Sequence, residues 1–475
     1  SHSRDLVASA ELALDAEGRF IGLRVRAQAN FGAYLSMFAP SIPTTGLAKV
    51  ISGLYRLPAI DIEFDCAFTN TVPVDAIRGA GKPEALFLLE RLIDIAAHET
   101  TRSPADLRRL NLLTAADMPY KAASGYTYDA ADCPHLFEQA LKVADEAGFP
   151  ARRAASEKTG LRRGIGLSCH LHGTGGIADE HSVVQVTPKG LVAFAGTQSQ
   201  GQGHETVFAQ VLSQALGVPV DRIEVRQGDT RTIPHGGGTG GSKSALVASQ
   251  AFLEAGDKLI EQGKQIAAHV MEASAADIEF NRGRFTIAGT DRSIGIMDLA
   301  DKLRGGLKLP ADLPQSLDVS HISDNPPFSF PNGCHVAEVE IDRETGVIEV
   351  ERYFMVNDFG TVINPMLVEG QILGGAAQGL GGALLEKLDY DAEGQLLTGS
   401  FMDYFMPRAG FIGEIRLLDH PVPTATNPLG AKGCGEAGVT GSLPTLMNAI
   451  RRSTSRANRR WPPGLRSAAI SPCAS

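Results

Sequence analysis

Cysteine is sparse in this sequence and badly placed for metal or disulfide chemistry. The six cysteines (Cys66, Cys133, Cys169, Cys334, Cys434 and Cys473) are scattered, with no Cys-x-x-Cys pair. That pattern argues against a disulfide framework, a cysteine zinc site or the ligand set of an iron–sulfur cluster, so no metal-ligating group is expected on this chain. Tryptophan occurs once, and no apolar run approaches the ~18–20 residues of a membrane span. Positive charge is also short: 44 Lys+Arg against 54 Asp+Glu leave a formal charge of −10, which speaks against a general nucleic-acid binder. The expectation is a reduced, cytoplasmic protein without signal peptide or membrane span.

Glycine is what the chain has in excess. Its 52 glycines are about 11% of the 475 residues, against an average of ~7%. Many sit in turns that lead into helical patterns. Gln200-Gly201-Gln202-Gly203-His204 precedes Val207, Val211, Leu212 and Ala215, which recur on one helix face. The run from His235 to Ser242 precedes Ala245, Ala248, Phe252 and Ala255 in the same way. A third turn, Cys434-Gly435-Glu436-Ala437-Gly438, precedes Leu446, Met447 and Ile450. Helix N-termini present unpaired N–H groups and positive dipole, and glycine allows close backbone approach, so these turns predict a large anionic ligand gripped from two sides.

Between the turns the chain alternates hairpins and helices, which predicts an α+β fold. Hairpins are expected around Asp15–Gly18, Pro188–Gly190, Asn281–Gly283 and Arg343–Gly346. The first helix follows Arg78-Gly79-Ala80-Gly81-Lys82-Pro83-Glu84, with Pro83 suited to a first turn. Asp132 is expected to cap a helix bearing Leu136, Ala140, Val143 and Ala147, and the stretch from Arg152 to Arg163 to be charged and exposed. Past Ile450 come six arginines and no acid, and this tail is assigned no function. A phosphate loop of the NTPase kind is disfavoured: Ser242-Lys243-Ser244 follows Gly237 with serine where that motif needs its last glycine.

Four blocks together carry a resemblance: residues 76–84, Gln200 to Thr206, Gly237 to Ser244, and Gly433 to Gly438. In their order and spacing the chain resembles the molybdenum-cofactor subunit of the xanthine dehydrogenase / aldehyde oxidase / carbon monoxide dehydrogenase family of molybdenum hydroxylases, over nearly all of residues 5–450. The resemblance implies two elongated α/β domains, with mixed sheets, hairpins and flanking helices, holding a molybdopterin between them, as a cytosine dinucleotide. The division expected is a remainder of the first domain over 1–118, a linker over 119–131, a second domain over 132–450 and an atypical basic tail over 451–475.

The residue roles implied are equally specific. Gln200, Gly201, Gln202, Gly203 and His204 would hold the cofactor near the metal, and Gly240, Gly241, Ser242 and Ser244 its pterin and phosphates. Arg78 and Gly79 would approach from the first domain. Glu436 would be the general base for the metal's hydroxyl, with a raised pKa if buried between glycines. Its other reading is a helix-start carboxylate favoured by the dipole. Carbon monoxide dehydrogenases with copper carry a cysteine where this chain has Gly79, which speaks against a copper site, although the glycine pattern also suits a second-form carbon monoxide dehydrogenase-like protein. Ala80 stands where purine oxidisers have an aromatic, leaving room in the substrate pocket for a heterocycle or an aldehyde. Cys169, His170 and His172 either face that pocket or fill the core. FAD and [2Fe-2S] clusters would lie on a medium and a small partner subunit. Relatives have several hundred further residues before the start of this chain, including a glycine-rich turn beside the metal. The expectation is that a separate chain supplies them; the alternative is a truncated, non-catalytic fragment that retains the fold.

Overall fold

Leucine and alanine alternate with polar residues from Leu6 onward, and a computed structural model describing residues 4–176 and 179–454 turns that alternation into a hairpin. β1 (Leu6–Leu14) pairs antiparallel with β2 (Phe20–Gly32), and β3 (Ile60–Phe68) joins β2 in parallel. α1 (Lys82–Glu99) and α2 (Pro104–Asn111) follow, both with proline in the first turn. A two-residue hairpin, β4 (Tyr120–Lys121) and β5 (Thr127–Tyr128), leads to α3 (Cys133–Val143) and α4 (Phe149–Lys158). Tyr128 is buried and its hydroxyl lies 2.5 Å from Ser52 Oγ.

Next come β6 (Leu161–Leu171), β7 (Glu180–Thr187), β8 (Gly190–Ala195), α5 (His204–Leu216), β9 (Ile223–Gln227) and α6 (Ser244–Met271). β10 (Ile278–Asn281), β11 (Arg284–Ile287) and β12 (Ser293–Gly295) form a small antiparallel sheet before α7 (Ile296–Arg304) and β13 (Val319–Ser323). The chain ends with β14 (Asn332–Asp342), β15 (Ile348–Asp358), α8 (Pro365–Leu384), β16 (Ile412–Asp419) and α9 (Ala437–Ser453). The four expected hairpins all form, and the architecture is α+β.

The central sheet has the order β16-β15-β14-β6, and its inner strands β14 and β15 are buried on both faces over most of their length. Period-two alternation sorts its residues: Cys334, Val336, Phe354 and Val356 enter the core shared with the first sheet and α1 to α3, while Ala337, Tyr353 and Met355 face α8 and α9. The second four-stranded sheet, β13-β7-β8-β9, builds a separate core with α5, α6 and α7.

Two sequence expectations need correction. Asp132 does occupy the N-cap position of α3, but its side chain makes no capping hydrogen bond and turns toward His420 instead, 3.4 Å away. The stretch from Arg152 to Arg163 is helical over α4 and largely exposed, but Arg152 and Arg163 are not free surface charges. Arg152, Arg163 and Arg352 surround the buried Glu338 at 2.6, 2.9 and 3.1 Å. One acid drawn inside by the sheet requires several cations around it. α9 runs on through Ser453, where Arg452 pairs with Asp94 at 2.8 Å; the rest of the basic tail lies outside the described residues.

Candidate functional site

Five helices start at one place. α1 begins after Gly81, α5 after Gly203, α6 after Lys243, α8 after Asn364 and α9 after Glu436. Residues at or just before these starts (Ala80, His204, Ser244, Asn364 and Glu436) line one cavity of about 680 Å³. Each N-terminus carries roughly half a positive charge, so the cavity wall favours anions without needing many cationic side chains. Local sequence explains the starts. Pro83 and Pro365 sit in first turns, and Asn364 Oδ1 accepts from Leu367 N at 3.1 Å.

Glu436 is buried at the N-cap of α9, yet it caps nothing with its side chain. One carboxylate oxygen accepts from Gly79 N at 3.0 Å; the other accepts from Lys82 Nζ at 2.8 Å and Ser242 Oγ at 2.9 Å. Three separate blocks of sequence therefore meet on one carboxylate. Burial pushes its carboxyl up, but the Lys82 ammonium outweighs burial, with help from His172 and the Ser242 hydroxyl, and holds it down at about 2. His172 itself stays neutral above about pH 3 because it is buried, so Lys82 carries most of the effect. The expectation of a raised pKa is thus overturned: a lysine from the first turn of α1 lies against the acid.

The backbone around Glu436 is equally constrained. Gly79 has φ +99°, and a Cβ there would lie 2.7 Å from the Pro83 ring. At Gly433 a Cβ would stand 1.9 Å from Ser242 O, so only glycine lets this turn touch the start of α6. Arg78 fastens the assembly: Nε donates to Gly435 O at 2.5 Å and a terminal nitrogen to Gln371 O at 2.9 Å. Burial lowers its pKa, with Cys434 and Glu436 acting the other way.

The two earlier glycine turns face open room. Ideal Cβ atoms on Gly201 and Gly240 would meet nothing within 4 Å. Gln202 folds back on its own turn, its Oε1 accepting from Gln200 N at 2.6 Å and its Nε2 donating to Gln198 O at 3.3 Å. Lys243, the misplaced phosphate-loop lysine, is buried and donates to Gly238 O at 3.0 Å.

Of the residues singled out from sequence, Arg78, Ala80, Gln200, Gly201, Gln202, His204, Gly240, Gly241, Ser242, Ser244 and Glu436 line the cavity. Gly79 and Gly203 shape turns behind it and are not in its wall. Cys169, His170 and His172 are buried and are not in its wall: His170 Nε2 meets Asn357 Oδ1 at 2.9 Å, and His172 Nε2 meets O of the wall residue Gly433 at 3.0 Å from behind. Sequence reasoning missed Lys82 as the partner of Glu436 and missed α8 entirely. The Asn364-Pro365 step was the available signal for the latter, an N-cap followed by a first-turn proline.

Two models of a molybdopterin cofactor-binding domain match residues 1–112 and 139–412. The chain belongs to the molybdopterin-binding subunits of the xanthine dehydrogenase family. It is 34% identical to the gamma subunit of the 6-hydroxypseudooxynicotine dehydrogenase complex of Paenarthrobacter nicotinovorans, over 95% of this chain and 57% of that one. To the carbon monoxide dehydrogenase large chain of Hydrogenophaga pseudoflava it is 35% identical, over 94% of this chain and 58% of the relative. Among solved structures, a Cu,Mo-CO dehydrogenase superposes with a TM-score of 0.87 at 29% identity, covering 96% of this chain and 60% of that one. Quinoline 2-oxidoreductase from Pseudomonas putida 86 gives 0.86 at 30%, covering 93% and 58%. The chain therefore spans less than two thirds of the length of these relatives.

The residues present fit a phosphate-bearing pterin. The open glycines of the second-domain turns and the converging N-termini form an anion cradle, and no side chain fills it. The volume lies in the ~300–1,000 Å³ range of small-molecule sites.

Proposed function

We propose that this chain is the cofactor-binding part of a hydroxylase that adds water-derived oxygen to an electron-poor carbon of an N-heteroaromatic or aldehyde substrate. The observation that carries this reading is a buried, ionised carboxylate facing a cavity ringed by helix N-termini. When bound, the molybdenum cofactor supplies the two-electron oxidation. The turns at Gln200–His204 and Gly240–Ser244 hold its pterin and phosphates, as a cytosine dinucleotide. Arg78 locks the turn that carries Glu436, and Glu436 accepts the proton released in the reaction. Because Lys82 and Gly79 grip that carboxylate, proton uptake requires them to loosen.

Room for the substrate is supported by Ala80, whose small side chain lines the cavity. Glycine at position 79 supports a heterocycle or aldehyde over carbon monoxide oxidised at a copper site. Electrons leave through [2Fe-2S] and FAD carried by a small and a medium subunit, in the cytoplasm, and a further chain completes the metal's surroundings. The division at 119–131 between a first domain ending at 118 and a second from 132 to 450 is supported by the two matched spans, 1–112 and 139–412.

The test is Glu436→Gln in the chain co-expressed with its partner subunits. Molybdenum content should be kept while turnover falls by roughly 10²–10⁴-fold, as for loss of a general base. Unchanged turnover sinks the assignment, and absence of molybdenum from the unsubstituted chain even with partners present favours the non-catalytic fragment.

A further inference from the structure

Away from the cavity, two imidazoles and a carboxylate from distant parts of the chain meet at the surface. Asp132 and His135 lie at the N-cap and in the first turn of α3, and His420 follows directly on β16. The two histidine rings stack with centroids 4.2 Å apart and planes within 14°. Asp132 stands where a carboxylate ordinarily accepts from the helix N–H groups, yet it makes no such bond and faces His420 instead. One potential ligand atom from each residue lies within 4.8 Å of the other two, the one grouping of this kind among the described residues.

We propose that Asp132, His135 and His420 bind a divalent transition-metal cation, zinc in the first instance. Two imidazoles and one carboxylate are a donor set suited to zinc, which takes nitrogen at ~2.0–2.1 Å and oxygen at ~2.0–2.2 Å. Because imidazole nitrogens lie in their ring planes, the stacked rings of His135 and His420 would turn about their side-chain bonds for both to reach one ion. His135 is exposed and the other two are half-buried, so a cation has a direct path in and water completes its coordination. An acid that forgoes its capping role beside two imidazoles is explained by a shared cation.

The site would act on the segment that leads to the cavity. His420 N donates to Asn357 O at 2.8 Å and Val422 N to Asp358 Oδ1 at 2.9 Å. Lys432, farther along the same segment, reaches Asp358 Oδ2 at 2.6 Å and Ala130 O at 2.7 Å. A cation at Asp132, His135 and His420 therefore clamps the outer end of the strap to α3, while its inner end, from Ala431 to Glu436, forms cavity wall. The role is structural and is independent of the molybdenum chemistry.

The experiment is calorimetric titration of the full chain with zinc alone, and with cobalt(II) as a visible-absorption probe. One ion per chain should bind saturably, and His135→Ala and His420→Ala should each weaken binding at least about tenfold and remove the cobalt band. His321→Ala, a histidine paired with Glu254 at 2.6 Å on another sheet, should leave both readouts unchanged. No saturable binding, or unaltered binding in both His135→Ala and His420→Ala, overturns the site. Because these side chains reach solvent, circular dichroism of the variants should match the parent, which separates lost ligation from lost folding.

Discussion

Replacing Lys82 by methionine tests the electrostatics of Glu436 without touching the cavity wall. Methionine keeps the length of the stem and removes the charge. Lys82 Nζ and Glu436 Oε2 are 2.8 Å apart and both side chains are 8% exposed, so water cannot substitute for the lost partner. Removing one member of a buried pair costs about 3–5 kcal/mol. The drop of the Glu436 pKa from 4.5 to about 2 is compatible, since at about 1.4 kcal/mol per tenfold change it corresponds to roughly 3.5 kcal/mol. The sign follows from the depressed pKa. The stabilisation is complete above the unfolded value of ~4.3 and is lost as pH falls toward about 2. Urea midpoints at pH 7, 5 and 3.5 should show Lys82→Met less stable at neutrality, with the gap to the parent closing on acidification. In Lys82→Met/Glu436→Gln part of the loss should return, because no unpaired charge is left buried. Parallel losses in the parent and Lys82→Met below pH 5 refute the reasoning.

Two other substitutions probe the frame. Gly433→Ala puts a methyl 1.9 Å from Ser242 O, so the turn must part from α6; overpacking of about 1–3 kcal/mol is expected, and molybdenum per chain after co-expression should fall. Lys432→Met strands Asp358, whose pair with Lys432 is fully buried at 2.6 Å, and should lower the urea midpoint by the equivalent of about 3–5 kcal/mol. Adding Asp358→Asn to it should restore part of that stability; no recovery would mean the loss came from packing instead of stranded charge.

Legibility followed the range of the forces. The hairpins at Asp15–Gly18 and Arg343–Gly346 were readable because turn residues and period-two alternation act over a few positions. The glycine turns before α5 and α6 were readable for the same reason, and their joint facing of one cavity was an inference from number and chemistry. What was hidden depends on side chains far apart in sequence. The Lys82–Glu436 pair spans 354 positions, and without it burial between glycines argued for a raised pKa. Arg152 looked like surface charge because nothing nearby revealed that Glu338 would be inside. α8 was missed because its glycines weaken the helical pattern; Gly375 and Gly379 instead admit close approach of α9.

The low pKa of Glu436 comes chiefly from the Lys82 ammonium behind the wall, and the anion cradle from the helix starts within it; both favour negative charge at this place. Among the described residues, Glu436 is the only acid in a wall that also holds Arg78, Lys432 and the starts of five helices. Lys82, with His172 and the Ser242 hydroxyl, outweighs burial and holds the Glu436 carboxylate ionised and weakly basic. A phosphate-bearing anion entering the cavity supplies negative charge to the same field, which favours protonation of Glu436 and raises its basicity. Occupancy and proton affinity are then linked, each strengthening with the other. The general-base role proposed for Glu436 demands a raised pKa only in the loaded protein, and under that proposal the carboxylate clamped by Lys82, Gly79 and Ser242 would be the resting form of the base.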